Sequence, residues 1–490
     1  MNIYIDNHKF HYEIENLCRL FFPNSKLKVI KDKKPQSDDD FIYTNICLEA
    51  NKAIVKASVK FNGKFNEKYA EVSINNPDFE NECERQLAIV LFLILVDITG
   101  IDPPWGILTG IRPVKLMRRL VKEKGFKETA EYFKSVFKVS DEKTNLCCQT
   151  MLNEQKIIDL SRFNSFSLYI SIPFCPSRCA YCSFVSQSIE KAAKLIPEYV
   201  KLLCQELEYT AKIANELQLR LESVYIGGGT PTTLSPLEMS NLLETIRNNF
   251  DMKFCREFTV EAGRPDTITD EILSVLKNFG VSRISINPQT LNDNVLKEIG
   301  RKHTAKQTID AFNLARKYNF DNINMDLIAG LPNESYESFT NSVSKICEMA
   351  PEGITVHTLS MKKASNLTEK GNILYADDSV RASNMLRYIS EVLNSNGYIP
   401  YYLYRQSRMV GNLENVGWAK KGKECLYNVY VMDETHTILA CGAGAVTKLK
   451  QPNGDYLERI FNYKFPYEYI SSFDEMLKRK GQVRDFYEKF

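Results

Sequence analysis

The stretch Leu168-Tyr-Ile-Ser-Ile-Pro-Phe-Cys-Pro-Ser-Arg-Cys-Ala-Tyr-Cys182 decides how the chain is read. Ser167–Ile172 reads as a strand, and two prolines then turn it into a loop that carries Cys175, Cys179 and Cys182. The spacing is C-x3-C-x2-C. Three thiolates can hold three corners of a [4Fe–4S] cube and leave its fourth iron open to a small molecule. A structural zinc site closes its shell with a fourth Cys or His. The twenty residues after Cys182 contain neither, which argues against zinc. Three cysteines packed beside prolines also suit a wrapped loop better than a core stripe.

Working outward, strand and helix alternate through the middle of the chain. Strands are expected at Glu222–Ile226, Phe258–Glu261, Arg283–Asn287, Asn322–Ile328 and Ile354–Leu359. Helices are expected between them, at Ile196–Leu217, Leu237–Asn249, Asp270–Phe279, Thr304–Tyr318 and Tyr336–Met349. Six such strands argue for an α/β fold with a parallel barrel or open sheet, whose site lies at the C-terminal strand ends. The suspicious motifs fall there, including the turn Gly227-Gly-Gly-Thr-Pro-Thr232 after the second strand. Residues 1–163 alternate as antiparallel strands at Phe41–Leu48, Lys52–Phe61 and Lys68–Ile74, with helical pattern from Phe79 to Val96. They are expected to form an accessory α+β domain, residues 164–375 the barrel, and residues 376–490 a C-terminal cap.

Of the 490 residues, 44% are hydrophobic and 25% charged, as in ordinary soluble proteins. The net charge of +2 gives no global pull toward nucleic acid or a membrane surface. Thirteen cysteines at irregular spacing do not form a disulfide framework. The apolar stretch Leu87–Val96 is about half of the ~20 residues a membrane span needs, so a buried helix is expected there. The N-terminus lacks the basic and apolar regions of a signal peptide, and the cytoplasm is the expected compartment.

The cysteine spacing, followed by Gly227–Thr232, resembles the radical S-adenosylmethionine (SAM) superfamily. The narrower resemblance is to the oxygen-independent coproporphyrinogen III dehydrogenase class. It rests on Tyr169-x-x-x-Pro-Phe-Cys175, Ser285-x-x-x-Gln289, Arg301-x-His303 and Asp326-Leu-Ile-x-Gly-Leu-Pro332. Gly110-Ile-Arg-Pro113, Val260-Glu-Ala-Gly-Arg-Pro-Asp266 and Tyr404-Arg-Gln406 look like its HemZ-type branch. The resemblance implies a partial (β/α)6 barrel, a [4Fe–4S] cluster and one or two SAM molecules. In the family, SAM chelates the open iron and is cleaved to a 5′-deoxyadenosyl radical.

Roles carry over by position. Cys175, Cys179 and Cys182 match the cluster ligands, and Tyr169 matches a tyrosine that contacts SAM. Gly228 matches a backbone contact to SAM, and Glu261 a carboxylate that holds it. Gln289, Arg301 and Asp326 match polar contacts to a second SAM. Tyr181 fills the aromatic position inside the cysteine loop, and Gly229 and Thr230 flank the same pocket. The bland alternatives are an ion network of Glu261, Arg301 and Asp326, a turn cap at Gln289, and barrel packing at Tyr169. His303 receives no role. The aromatic run Tyr398–Tyr404 reads as cap packing rather than a porphyrin platform.

Two positions depart from the dehydrogenase pattern. Phe184 stands where a fourth cysteine is expected, and Ser171 where a histidine is expected. The heme-chaperone branch of the class also carries Phe at the first position. The resemblance therefore implies either oxidative decarboxylation of coproporphyrinogen III to protoporphyrinogen IX, or heme binding without that oxidation, or radical chemistry on another tetrapyrrole. An enzyme of this kind needs an electron donor, an electron acceptor and basic partners for an anionic tetrapyrrole. Arg178, Arg264, Arg301 and Arg405 are the candidates for the last.

Overall fold

The computed structural model describes residues 1–35, 39–360, 376–406 and 409–490. The chain divides into two units, one built chiefly from Met1–Cys148 with Arg405–Leu413, the other from most of the chain after Gln149. The boundary expected after residue 375 falls at the edge of 361–375, outside the described residues.

In the first unit the alternating segments form a five-stranded sheet. Its spatial order is Lys28–Lys31, Asn2–Asp6, Phe41–Leu48, Lys52–Phe61, Lys64–Ser73. Ile3, Ile5, Ile42, Val55, Ala57 and Val59 point to one face, where helices His11–Phe21 and Phe79–Thr99 join them in a single core. The apolar stretch Leu87–Val96 lies inside the second of these helices, with Leu87, Leu91, Ile94 and Leu95 fully buried. Gly100 ends the helix in the left-handed region at φ +71°, its N–H returning to Val96 O at 2.8 Å. Among the described residues no helix is long and apolar enough to cross a membrane.

The second unit is built on an open eleven-stranded sheet. The six expected strands are Ser165–Ile172, Arg220–Gly228, Glu257–Glu261, Arg283–Ser285, Ile323–Ala329 and Gly353–Thr358. They lie side by side in chain order, and each neighbouring pair is parallel. Near-continuous burial along these strands is what a sheet covered on both faces demands. The intervening helices start where the sequence supplies caps. Ser235 with Glu238 and Thr304 with Gln307 form capping boxes for Pro236–Asn249 and Ala305–Lys317. All six loops that follow a strand therefore leave from one end of the sheet.

The segment expected as a cap also extends the sheet at both edges. Asn415–Lys420 pairs antiparallel with the sixth strand and carries Tyr398–Tyr404 outside it. Thr437–Cys441 pairs parallel with the first strand, followed by Val446–Lys450 and Leu457–Phe461. Tyr398, Tyr401 and Tyr402 are buried, in keeping with packing. The sheet stays open rather than closing into a full barrel.

Candidate functional site

The first strand delivers the cysteine loop to the C-terminal end of the sheet. Phe174–Cys175 pairs with Gln187–Ser188, so the loop closes on itself. Its far side is tied to the segment before Arg301: the Ala180 N–H donates to Ile299 O at 2.9 Å and Ser177 Oγ to Gly300 O at 3.3 Å. Inside the loop the Cys182 N–H donates to Cys179 O at 3.2 Å. Cys179 is buried, and Cys175 and Cys182 are half-buried. Burial, with a contribution from the neighbouring cysteines, raises the Cys175 thiol and pushes Cys182 up to about 11. Among the described residues no three His, Cys, Asp or Glu side chains are drawn to metal-holding distance. The thiols are near enough for Cys179 and Cys175 to contribute to raising Cys182.

The second strand brings the glycine turn against this loop. The Gly229 N–H donates to Ile172 O at 2.8 Å and the Thr230 N–H to Phe174 O at 2.7 Å. Gly228 has φ +104°, and a Cβ there would stand 2.9 Å from Ser171 Oγ. A Cβ on Gly229 would lie 2.5 Å from Phe174 O. The two chains approach this closely only because side chains are missing. Thr230 Oγ1 then points to Cys175 Sγ at 3.5 Å.

Glu261 ends the third strand in register with Ser285. It accepts a hydrogen bond from Tyr225 Oη at 2.5 Å. Burial, reinforced by the nearby Asp326 carboxylate and opposed by the Tyr225 hydroxyl, pushes Glu261 up to about 7. Tyr225 was not singled out from the sequence. Its signal was position: it sits two residues before Gly227, on the same strand face, and pairs in register with Tyr169. Tyr169, Tyr225 and Tyr427 form a stack with ring centroids 4.5–6.3 Å apart. Tyr169 thus belongs to a packed aromatic wall beside Glu261.

Asp326 stands on the fifth strand, where it accepts from Asn324 Nδ2 at 2.7 Å and faces His357 Nε2 at 3.7 Å. Burial opposes its charge, but His357, Asn324 and Thr355 together hold it below the usual carboxylate range. Gln289 is pinned by its backbone between Asp326 O and the Ile328 N–H, with φ +67°. Arg301 is buried and its guanidinium is engaged by protein: it donates to Tyr181 Oη at 3.0 Å and to Gly263 O and Asn287 O at 2.9 Å. It links the cysteine loop to the ends of the third and fourth strands.

Of the four arginines proposed to meet an anionic ligand, Arg405 does something else. It lies in the first unit, stacks 5.2 Å from the Trp105 ring, and donates to Leu108 O, Gly110 O and Asn412 O. With its side chain 2% exposed and committed to carbonyls, it is a structural cross-link. Arg178 is exposed, and Arg264 is buried against the cysteine loop. Ser171, in place of the histidine, is buried and donates to Ala443 O at 2.8 Å. Phe184, in place of the fourth cysteine, is 65% exposed.

Three soft thiol donors on one loop suit iron–sulfur ligation. Thr230 and Arg264 aim hydrogen-bond donors at two of those sulfurs, and the glycine turn and Glu261 stand beside them. The residues present therefore fit a [4Fe–4S] cluster with SAM.

Comparison with known proteins agrees. A family profile described as the radical SAM superfamily matches residues 169–346. The chain is 36% identical to the "oxygen-independent coproporphyrinogen-III oxidase-like protein HemZ" of Bacillus subtilis, over 98% of this chain and 97% of that one. It is 32% identical to the "heme chaperone HemW" of the same organism, over 61% of this chain and 77% of that one. Among solved structures, coproporphyrinogen III oxidase (HemN) from Escherichia coli, described as a radical SAM enzyme, superposes with a TM-score of 0.52. The match spans 66% of this chain and 72% of that one at 23% identity, a likeness of fold.

Proposed function

The chain belongs to the radical SAM superfamily, in the HemZ-type branch of oxygen-independent coproporphyrinogen-III oxidase-like proteins, and on that premise we propose that it oxidatively decarboxylates coproporphyrinogen III to protoporphyrinogen IX. The carrying observation is the meeting, at one end of the sheet, of the cysteine loop, the Gly227–Gly229 turn and Glu261. Membership implies a [4Fe–4S] cluster and SAM. When bound, that pair supplies a radical able to abstract a hydrogen atom.

Cys175, Cys179 and Cys182 would hold the cluster, leaving one iron to SAM. The Gly228–Gly229 backbone would give SAM a surface free of side chains, and the Glu261 carboxylate would accept from its amino N–H or ribose hydroxyls. The wall of Tyr169, Tyr225 and Tyr427 restricts water on that side. Gln289, Arg301 and Asp326 would shape the pocket for a second SAM. Each of two propionates would lose a β-hydrogen atom, CO2 and one electron, leaving a vinyl group. The electron passes to an external acceptor.

The test is anaerobic reconstitution with iron and sulfide, then SAM, a strong reductant and coproporphyrinogen III. The expected result is 5′-deoxyadenosine formed together with protoporphyrinogen IX and CO2. Cys175→Ala is expected to lose the cluster absorbance, and an unchanged spectrum would refute that ligand assignment. A second reading, a heme-binding chaperone, is favoured by exposed Phe184 at the place of the fourth cysteine. Stoichiometric heme binding with coproporphyrinogen III fully recovered would select it.

A further inference from the structure

The sequence motif Val260-Glu-Ala-Gly-Arg-Pro-Asp266 holds a residue that the proposed chemistry does not use, Arg264. Its backbone is fixed first. Arg264 O accepts from the Thr267 N–H at 2.9 Å and from Thr267 Oγ1 at 2.8 Å. Thr267 Oγ1 in turn meets Thr232 Oγ1, on the far side of the glycine turn, at 2.6 Å. The side chain is 3% exposed as a residue and runs under the cysteine loop. Its Nε and Nη2 fork onto the two Asp266 carboxylate oxygens at 3.2 and 3.3 Å. Nη1 and Nη2 both reach Ser177 Oγ at 3.2 Å, and Nη1 reaches Ser177 O at 3.3 Å. What remains of Nη1 points to Cys179 Sγ at 3.8 Å.

Each of these contacts narrows the freedom of the guanidinium. The fork onto Asp266 sets the plane of the group, and the Ser177 contacts set its height beneath the loop. A guanidinium does not lose its proton in proteins. The Cys179 sulfur therefore faces a permanent cationic N–H in a site shielded from water.

We infer that Arg264 is a positioning residue that sets the reduction potential of the cluster, by donating a charged N–H to the Cys179 sulfur while Asp266 and Ser177 hold it in place. The inference rests on the proposal that the three cysteines ligate a [4Fe–4S] cluster. Hydrogen bonds to the sulfurs and nearby charge are two of the levers that set such potentials. One-electron reduction by an external low-potential donor adds a negative charge to the cluster and its thiolates. A cationic donor at Cys179 stabilises the reduced form more than the oxidised one, so it raises the potential.

The experiment is a redox titration of the reconstituted full-length protein, with dithionite as reductant and the cluster followed by absorbance and electron paramagnetic resonance. Arg264→Met is expected to shift the midpoint to a more negative value at unchanged iron and sulfide content. Arg264→Lys keeps the charge without the fork and is expected to recover part of the shift. Ser177→Ala removes the hydroxyl that holds Nη1 and Nη2 without changing any charge, and is expected to fall between wild type and Arg264→Met. A wild-type midpoint in Arg264→Met overturns the inference. Should that variant fail to take up a cluster, an unshifted midpoint in Ser177→Ala overturns it instead. A wild-type protein that takes up no cluster defeats the proposed function and this inference together; a normal cluster with an unmoved midpoint defeats this inference alone.

Discussion

Glu261 is a residue whose chemistry depends on its surroundings. In water its carboxyl would be ionised well below neutrality. Here burial, helped by Asp326, pushes it up to about 7. A raised carboxyl is charged only above that value. Since the charged form is the stronger acceptor for SAM's N–H and hydroxyl donors, SAM affinity of the reconstituted protein is expected to fall as pH drops through 7 and to level off above it. The limiting slope is about tenfold per pH unit. Equilibrium dialysis between pH 5.5 and 8.5 measures this. Glu261→Gln is expected to bind more weakly and without the pH step, and a flat wild-type profile would remove Glu261 from the SAM site. Gly229 gives a second prediction at this scale. A Cβ there would lie 2.5 Å from Phe174 O and 2.8 Å from Ile172 O, both backbone atoms. Gly229→Ala is expected to cost about 1–3 kcal/mol in urea unfolding, as overpacking does.

Among the elements, the turn Gly442–Ala445 carries more buried charge than its small residues suggest. Glu206, on helix Ile196–Glu216, and Lys480, on helix Phe473–Tyr487, are both fully buried and 2.9 Å apart. Glu206 also accepts from the Gly442 N–H at 2.7 Å, Tyr469 Oη at 2.7 Å and Asn462 Nδ2 at 2.8 Å. The turn it holds presents Ala443 O to Ser171, and Tyr199 Oη donates to Ser171 O at 2.8 Å. The network therefore braces the end of the first strand, from which the cysteine loop departs. Lys480→Met leaves a buried carboxylate without its counter-charge and is expected to destabilise by about 3–5 kcal/mol in urea unfolding. Removing both charges, in Glu206→Leu with Lys480→Met, is expected to lose less than the sum of the single changes. An additive double variant would show that the pair is not coupled.

At the scale of the whole molecule, each unit has its own hydrophobic core. One is formed by the five-stranded sheet and its two helices; the other includes Tyr401, Tyr430 and Ile438 in the eleven-stranded sheet unit. Calorimetry of the intact reconstituted chain is expected to resolve more than one transition. SAM at a hundredfold excess over its Kd is expected to stabilise the transition of the unit holding Ser165–Thr358 by about 2.7 kcal/mol. A single transition that ignores SAM would count against this.

The repeated strand–helix pattern between residues 165 and 359 was legible in the sequence, because apolar runs, capping residues and breakers agree there. Cys175, Cys179, Cys182 and Gly227–Gly229 were legible too, since their chemistry depends on spacing along the chain. Helix Asp141–Ile158 was not, because Lys143, Thr144, Thr150 and Glu154 occupy buried positions and blur its period. The sheet strands after residue 397 were equally hidden, since their partners lie on strands far away in sequence. Local order along the chain thus determined the α/β unit and the loop that carries the thiols. Only the tertiary structure decided which polar groups meet: Tyr225 on Glu261, Arg264 under Cys179, Arg301 on Tyr181, and Arg405 spent on Trp105 and three carbonyls. The physical reason is that a side chain's charge and reach are set by its residue type, whereas its partner is set by strand register and burial.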